Sequence, residues 1–181
     1  MRFSSVFVLA SLVASSFACV TVADIQTDIA DISTKLTALD DSITAFPITA
    51  GSGSFTQFLI IHNNIVALGS SIDKGATDTG AVTPNPVSDA DGRSIIDSIE
   101  ALEPTINHAL VGIVDRKAAF TALPLGGIPA VVRQDLLNLS ASTGNLEAVL
   151  IGVAPAGLVG EATDLKNRID AAFATAIAAY A

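Results

Sequence analysis

The stretch DIQTDIADISTKLTALDDSITAF, residues 24–46, carries the pattern that decides the fold. Its apolar residues are separated alternately by four and three positions, and they are Ile25, Ile29, Ile32, Leu36, Leu39, Ile43 and Phe46. This spacing is typical of a helix that packs one apolar stripe against its neighbours. We expect Asp24 to be the N-cap and Pro47 to end the helix. The charged residues Asp28, Asp31, Lys35 and Asp41 are expected to lie away from the stripe.

The same spacing recurs along the rest of the chain. We predict a second helix over residues 54–72. The stripe of the third helix is Ile95, Ile99, Leu102, Ile106, Leu110, Ile113 and Phe120. That of the fourth is Val132, Leu136, Leu139, Leu146, Leu150 and Val153, and that of the last is Leu158, Ala162, Leu165, Ile169, Phe173, Ile177 and Tyr180. Ser88 or Asp89 is expected to cap the third helix. Pro104 falls inside that helix and should kink it, or mark the first turn of a second segment.

The segments between these helices are rich in glycine and proline. Residues 73–88 contain two Gly and two Pro, which predicts a loop, and residues 123–129 form a Pro/Gly turn before the fourth helix. No segment has the alternating pattern of a β-strand. The sequence therefore predicts an all-α fold, an antiparallel bundle of four to five long helices, with the third kinked or split at Pro104.

The N-terminal residues have the composition of a secretory signal peptide. Arg2 gives the positive start, residues 6–14 are apolar, and Thr21, Val22 and Ala23 are small residues before a cleavage site. A membrane anchor is disfavoured because serines interrupt the short apolar run, and a bacterial lipoprotein junction at Cys19 is the alternative. We therefore predict a signal peptide over residues 1–23 and a single domain over residues 24–181. The mature protein would be extracellular, without a transmembrane segment and without a disulfide.

The charge balance excludes several classes of partner. Without Arg2, eight basic residues face eighteen acidic ones, so the mature chain has a net charge of −10. Nucleic acids and anionic membrane surfaces attract basic patches, so neither is an expected partner.

The sequence contains no recognisable catalytic or metal-binding motif. The two histidines, His62 and His108, have no HxxxH or HExxH spacing, and no nucleophile elbow or phosphate-binding loop is present. The chain is therefore not expected to be an enzyme or to need a metal or cofactor. We interpret His62 as a partly buried, hydrogen-bonded residue, and a ligand contact is the alternative. Asn138 begins the N-glycosylation sequon, on a stripe with Asp135, Ser142 and Asn145 that is expected to face outward.

The second helix, SFTQFLIIHNNIVALGSSI over residues 54–72, has no charged side chain. One interpretation is a central helix that its neighbours bury on all sides. The other is that part of its surface lines a cavity or forms an exposed apolar patch. Residues 118–132 are also uncharged, and we expect Phe120, Leu123, Leu125 and Ile128 to form an exposed apolar cluster in a turn. Leu36, on the stripe of the first helix, is expected to stabilise the bundle with little direct effect on binding.

Three segments carry a resemblance to a known family. They are residues 24–46, quoted above, LEPTINHALVGIVDRKAAF at residues 102–120, and IDAAFATAIAAY at residues 169–180. With these, the chain resembles the secreted fungal hydrophobic surface binding protein A family, which includes cell-wall galactomannoproteins. The resemblance implies a helical, non-catalytic protein that adheres to hydrophobic surfaces. In some members the bundle encloses an apolar cavity that binds fatty acids, so an apolar central cavity is an expectation for this chain.

These observations together predict a secreted protein that binds hydrophobic surfaces or apolar ligands such as fatty acids. The alternatives are a structural cell-wall or surface-coat mannoprotein without a ligand, and an accessory that recruits a secreted hydrolase to hydrophobic substrates. The predicted ligand-binding residues are Phe55, Phe58, Ile61, His62, Ile65, Leu68, Leu110, Ile113 and Phe120.

Overall fold

The computed structural model describes residues 19–181, so most of the predicted signal peptide lies outside the described residues. Within this range the chain forms seven helices: α1 (Val22–Ala45), α2 (Phe55–Gly80), α3 (Asp89–Glu100), α4 (Glu103–Asp115), α5 (Lys117–Thr121), α6 (Ile128–Val153) and α7 (Val159–Ala179). The part of the chain that the structure describes has no strand, only an isolated bridge between Val20 and Val82. The all-α prediction is confirmed.

The long helices close into a ring around one apolar core. Going around it, α1 packs against α2, α2 against α6, α6 against α7, α7 against α4, and α4 against α1. The helix α3 precedes α4 along the same side of the bundle, and the short α5 lies against α6. The five apolar stripes predicted from the sequence therefore converge on one axis.

Successive long helices reverse direction, as expected for an antiparallel bundle. Thus Lys74 of α2 pairs with Asp28 of α1, and Lys166 of α7 pairs with Glu147 of α6, as in antiparallel pairs. In a ring of five helices, the chain direction cannot alternate between every pair of neighbours, because five is an odd number. At least one neighbouring pair must therefore be parallel. The helices α2 and α6 are such a pair, since His62 meets Asp135 near one end of the pair.

Hydrogen-bonding side chains fix the starts of the first three helices. Thr21 caps α1: its backbone N–H donates to Asp24 Oδ2 at 2.8 Å, and its Oγ1 accepts from the Asp24 backbone N–H at 3.4 Å. Asp24 is therefore the third residue of a capping box and not the N-cap that we expected. Ser54 with Gln57 forms the same arrangement at α2, and Ser88 caps α3, as one of the two predicted caps.

The predicted loop over residues 73–88 is wrong in its first half, because α2 continues to Gly80. Ile72, Ala76 and Thr79 extend the buried stripe of the helix by two turns. In addition, Lys74 bridges the carboxylates of Asp28 on α1 and Asp78 one turn further on. These tertiary contacts outweigh the local preference of the two glycines for a turn. Asp28 is accordingly buried, contrary to the expectation that it lies away from the stripe.

The chain breaks at Pro104 as predicted. The helix α3 ends at Glu100, and Pro104 lies in the first turn of α4, where its missing N–H costs nothing. A second break follows at Arg116, whose buried guanidinium donates to the carbonyl oxygens of Phe46 at 2.7 Å and Thr44 at 3.1 Å. Lys117 donates to the carbonyl oxygen of Ala179 at 2.6 Å. These two basic residues thereby supply donors to the C-terminal ends of α1 and α7, which have no basic residue in their own last turns.

The predicted exposed apolar cluster near residues 118–132 is largely core. Phe120, Leu123 and Ile128 are buried, and of the four residues only Leu125 is exposed. The ring of Phe120 packs on Phe46 with centroids 4.7 Å apart and on Phe58 at 5.8 Å. This uncharged segment therefore closes one end of the bundle with aromatic side chains.

Candidate functional site

A cavity of about 70 Å³ lies on the axis of the ring, and we call it the central cavity. All five long sides of the bundle contribute to its wall. The aliphatic and aromatic lining residues are Ile32, Leu36, Leu39, Ile43, Ile65, Leu68, Ile72, Ile99, Leu102, Ile106, Ala109, Leu110, Ile113, Leu136, Leu139, Leu146, Leu150, Ile169 and Phe173. Only Asp135, Thr143 and Glu147 add polar groups, so the space suits an aliphatic chain.

Four of the nine predicted site residues line this cavity: Ile65, Leu68, Leu110 and Ile113. The other five do not. Phe58, Ile61 and Phe120 are buried, and Phe55 is half-buried at the aromatic end of the bundle. The fifth, His62, is half-buried beside Phe58.

The prediction missed most of the wall, including every residue of α1. Four residues of the α1 stripe line the cavity, and Leu36, which we expected to have little direct effect on binding, is one of them. The signal was present, because the heptad stripe marks which side of each helix faces the axis. The sequence does not show that the axis holds free space.

A second cavity of about 40 Å³, here the side cavity, lies between α3, α6 and α7. It shares the wall residues Ile99, Glu147, Leu150 and Ile169 with the central cavity. Because the two spaces have these side chains in common, a movement of those side chains would join them.

Asp135 is a polar group near the aromatic end of the central cavity. It is buried, and the Nδ1 atom of His62 lies 2.8 Å from its Oδ2. Burial raises the pKa of Asp135, and the bond to His62 opposes that rise. Asp135 thus faces inward, contrary to the predicted outward stripe, while Asn138 on the same helix is exposed. His62 is the partly buried, hydrogen-bonded residue that we predicted.

Glu147 is the second acid in the wall, twelve residues further along α6. Lys166 Nζ donates to its Oε2 at 3.3 Å and also binds Asp170. Burial raises the pKa of Glu147 to about 7, although Lys166 favours the charged form. With a rise of 1.5 Å per residue, the two acids are separated by about 18 Å of helix. The wall between them is apolar apart from Thr143.

The uncharged part of α2, up to residue 72, has two different sides. Its inner side lines the central cavity through Ile65, Leu68 and Ile72. Its outer face is exposed and comprises Thr56, Leu59, Ile60, Asn63, Val66 and Ser70. Ile60 is 50% and Val66 54% exposed. The helix is therefore not buried on all sides, and it both lines a cavity and presents an apolar patch.

The structure describes no clustered metal ligands: residues 19–181 contain no group of three or more His, Cys, Asp or Glu side chains that could hold an ion. Among the same residues, only α6 is long and apolar enough to cross a membrane by length and composition. In the structure this helix packs between α2 and α7.

The sequence and the fold both match known proteins. A family model described as hydrophobic surface binding protein A matches residues 22–152. No curated protein matches the chain. The solved structure of Afmp4p in complex with palmitic acid is similar, with 28% identity, a TM-score of 0.79, and coverage of 88% of this chain and 99% of that one.

Two ligand-binding domains of the Penicillium marneffei MP1 protein share the fold. Domain 1, complexed with arachidonic acids, is 15% identical with a TM-score of 0.76, covering 88% of this chain and 99% of that one. Domain 2, complexed with multiple arachidonic acids, is 18% identical with a TM-score of 0.76, covering 88% and 96%.

Proposed function

Because the chain belongs to the hydrophobic surface binding protein A family, we propose that it is a secreted, non-catalytic protein that takes the aliphatic chain of a fatty acid into its central cavity. The observation that carries this proposal is the apolar cavity itself, on the axis of five helices. The similarity to Afmp4p in complex with palmitic acid supports the ligand class. Ile65, Leu68, Leu110 and Ile113 remain our proposed contacts among the residues that the sequence suggested.

The energetics favour an aliphatic ligand without a charge partner. Each methylene group that leaves water contributes about 0.8 kcal/mol, so a dozen contribute on the order of 10 kcal/mol. The lost freedom of the ligand and the ordering of side chains offset a large part of this gain. The remainder is enough for micromolar binding.

The size of the cavity requires the bundle to expand on binding. Pockets that enclose small molecules usually measure about 300–1,000 Å³, well above the 70 Å³ of the central cavity. A long chain therefore needs neighbouring helices to separate. Expansion toward the side cavity would join two existing spaces, since they share wall residues.

Filling the central cavity with protein atoms tests this proposal. Ala109 on α4 is buried in the cavity wall, and Ala109→Leu would place a larger side chain in the free space. We expect binding of palmitic acid, measured by displacement of an apolar fluorescent probe, to weaken at least about tenfold while the helical circular dichroism is kept. The matched control is Ala174→Leu, the same change at an exposed position on α7. If folded Ala109→Leu protein binds palmitic acid as tightly as the wild type, the ligand does not occupy the central cavity.

The outer face of α2 favours a second activity, adsorption to hydrophobic surfaces. It combines exposed Leu59, Ile60 and Val66 with a complete absence of charge between residues 54 and 72. Adding charge with Ile60→Lys and Val66→Lys should reduce adsorption to polystyrene beads and leave palmitic acid binding unchanged. The control is Val111→Lys at an exposed apolar position on α4. Equal adsorption by the double variant and the control would assign adsorption to another surface.

Separate measurements distinguish a fatty-acid carrier from the other functions predicted from the sequence. Native mass spectrometry of protein purified from its own secretion would show a retained fatty acid for a carrier. No lipid, even after incubation with fatty acids, would favour the structural coat of a cell wall. A hydrolase retained with the protein on hydrophobic beads would favour the recruiting role. Glycosylation at the exposed Asn138 remains a prediction, which the mass of the secreted protein tests.

A further inference from the structure

Glu147 has a polar atom that the bundle leaves without a partner. Its side chain is only 7% exposed, and its Oε1 has no hydrogen bond within residues 19–181. Within residues 19–181, three buried side-chain oxygens have no hydrogen-bond partner: Oε1 of Glu147, Oδ2 of Asp28 and Oγ1 of Thr79. Of these three residues, only Glu147 lines the central cavity. A buried oxygen without a donor is costly, so this atom suits a ligand that supplies an O–H or N–H group.

The position of Glu147 is equally specific. It lines both the central cavity and the side cavity, so its carboxyl group stands where the two spaces meet. The only other charged residue in either wall near this point is Lys166, which lines the side cavity. The rest of the side cavity is aliphatic, from Ile95 and Ile96 on α3 to Leu165 on α7. A head group here would therefore meet one carboxyl group and one ammonium group.

Asp135, the other acid in the same wall, differs from Glu147 in having a hydrogen-bond partner from another helix for one of its carboxyl oxygens. Its Oδ2 is bound to His62 at 2.8 Å, and both of its oxygens are absent from the set without partners. The two acids thus differ in the property that matters for recognition. At the Asp135 end one carboxyl oxygen is paired with His62, whereas at the Glu147 end a fully buried acceptor has no partner within residues 19–181.

We propose that Glu147 and Lys166 form a head-group site that binds the O–H group at the end of an aliphatic chain, either a long-chain alcohol or a fatty acid that retains its proton. This inference rests on the proposed function and specifies which end of the ligand lies at which end of the cavity. The aliphatic chain extends from Glu147 along the apolar wall toward Asp135 and the aromatic end.

The charges around Glu147 explain why an O–H donor is preferred to a carboxylate. Lys166 already balances two acids, Glu147 on α6 and Asp170 on α7. An ionised fatty acid would add a further negative charge without a new cation, which is costly in an apolar wall. A proton must therefore accompany a fatty acid, on the ligand or on Glu147. The raised pKa of Glu147, about 7, is consistent with that proton being available near neutral pH.

Three ligands of equal chain length test the site: dodecanol, dodecyl methyl ether, which has no O–H, and dodecanoic acid. Affinities come from displacement of an apolar fluorescent probe at pH 6 and pH 8. We expect the wild type to prefer the alcohol to the ether by about tenfold at pH 8, because the ether leaves Oε1 without a donor. The acid should match the alcohol at pH 6 and fall behind it at pH 8, whereas a site specific for the alcohol would disfavour the acid at both.

Two variants and one control make the test decisive. Glu147→Leu should bind alcohol and ether equally, and Glu147→Gln, which keeps an acceptor oxygen, should retain most of the preference. Asp164→Asn removes an exposed carboxylate from the neighbouring α7 and should change nothing. Binding of all three ligands without any alcohol preference in the wild type overturns the head-group site and leaves the proposed function intact. Binding of none of them overturns the proposed function itself.

Discussion

At the scale of single residues, the carboxyl group of Glu147 couples the stability of the fold to pH. Burial raises its pKa from the ordinary 4.5 to about 7. The folded state therefore holds the proton more tightly than the unfolded state, and the stabilisation from protonation is complete below about pH 4.5. It is lost as pH rises from there through about 7, where Glu147 ionises in the folded protein. The loss amounts to at most about 3 kcal/mol.

We predict that Glu147→Gln removes this dependence. The free energy of unfolding, measured by urea denaturation between pH 5 and pH 8, should fall more steeply with pH in the wild type than in the variant. The comparison isolates Glu147 because all other titrating groups are common to both proteins. Parallel curves would mean that Glu147 has an ordinary pKa in the folded protein.

Individual polar residues were the part of the structure least predictable from the sequence. Asp28 and Asp135 were predicted to lie outside, yet both are buried beside a cation or a histidine. Heptad position gives the side of a helix, but whether an acid at the edge of a stripe is buried depends on a partner from another helix. The partner of Asp28 is 46 positions away and that of Asp135 is 73 positions away. No local pattern reports such pairs.

At the scale of helices, the extension of α2 beyond residue 72 depends on Lys74. Its ammonium group contacts the buried carboxylate of Asp28 and the carboxylate of Asp78, which lies in the last turns of α2. Without this cation, Asp28 would stay buried with no charge partner, and the end of α2 would lose its link to α1. The two pairs therefore hold residues 73–80 in a helix despite Gly75 and Gly80.

We predict that Lys74→Ala frays the C-terminal turns of α2. Hydrogen exchange of the backbone amides of residues 76–80 should become faster, while amides of residues 58–68 keep their protection. The matched control is Lys35→Ala, because Lys35 forms only an exposed pair with Asp31 at 3.9 Å. If the two variants exchange alike at residues 76–80, the helical extension is held by its buried apolar stripe alone.

The helices themselves were predictable wherever one apolar stripe and a capping residue coincide. The stripe of α1, the cap of α3 at Ser88 and the split at Pro104 all follow from local physics. The predicted exposure of the apolar residues in segment 118–132 was wrong because this segment lacks such a local pattern. A turn of uncharged apolar residues has no period that distinguishes burial from exposure, and it is buried because Phe46 and Phe58 cover Phe120.

At the scale of the whole molecule, α3 is the helix that would have to move if the central cavity expanded toward the side cavity. It packs mainly against α1, and it meets α7 through the ion pair of Arg93 with Glu161, in which Nη2 lies 2.7 Å from Oε2. Its first turn fits closely against the α6–α7 connection, since a Cβ on Gly92 would lie 2.7 Å from Cδ of Pro155. Residues of α3 line the side cavity. The helix α3 lies between two non-helical segments of the chain, residues 81–88 and 101–102.

The free space on the axis results from how the five long helices are arranged around it, and not from the apolar stripe of any one helix. Five stripes of branched aliphatic residues converge on an axis that a ring of five helices cannot fill completely. The sequence predicted the stripes and the apolar character of the centre. A central cavity was among the expectations, but the side cavity and the volumes of both spaces were not predictable, because they depend on how the helices cross.

We predict that tying α3 to α7 slows the entry and release of a fatty acid. Arg93→Cys and Glu161→Cys, in a chain whose Cys19 is replaced by serine, can be joined by a short bis-methanethiosulfonate reagent, which forms a disulfide with each thiol, releases methanesulfinate and is cleaved by a reductant. The crosslink should slow exchange of bound palmitic acid by at least about tenfold, and cleavage should restore the rate, because expansion toward the side cavity requires α3 to move away from α7. The matched control joins α1 to α2 through Asp31→Cys and Ser71→Cys, whose side chains form a hydrogen bond in the folded protein. Exchange that slows only in the control would place the entrance between α1 and α2, and exchange that slows in neither would exclude both of these routes.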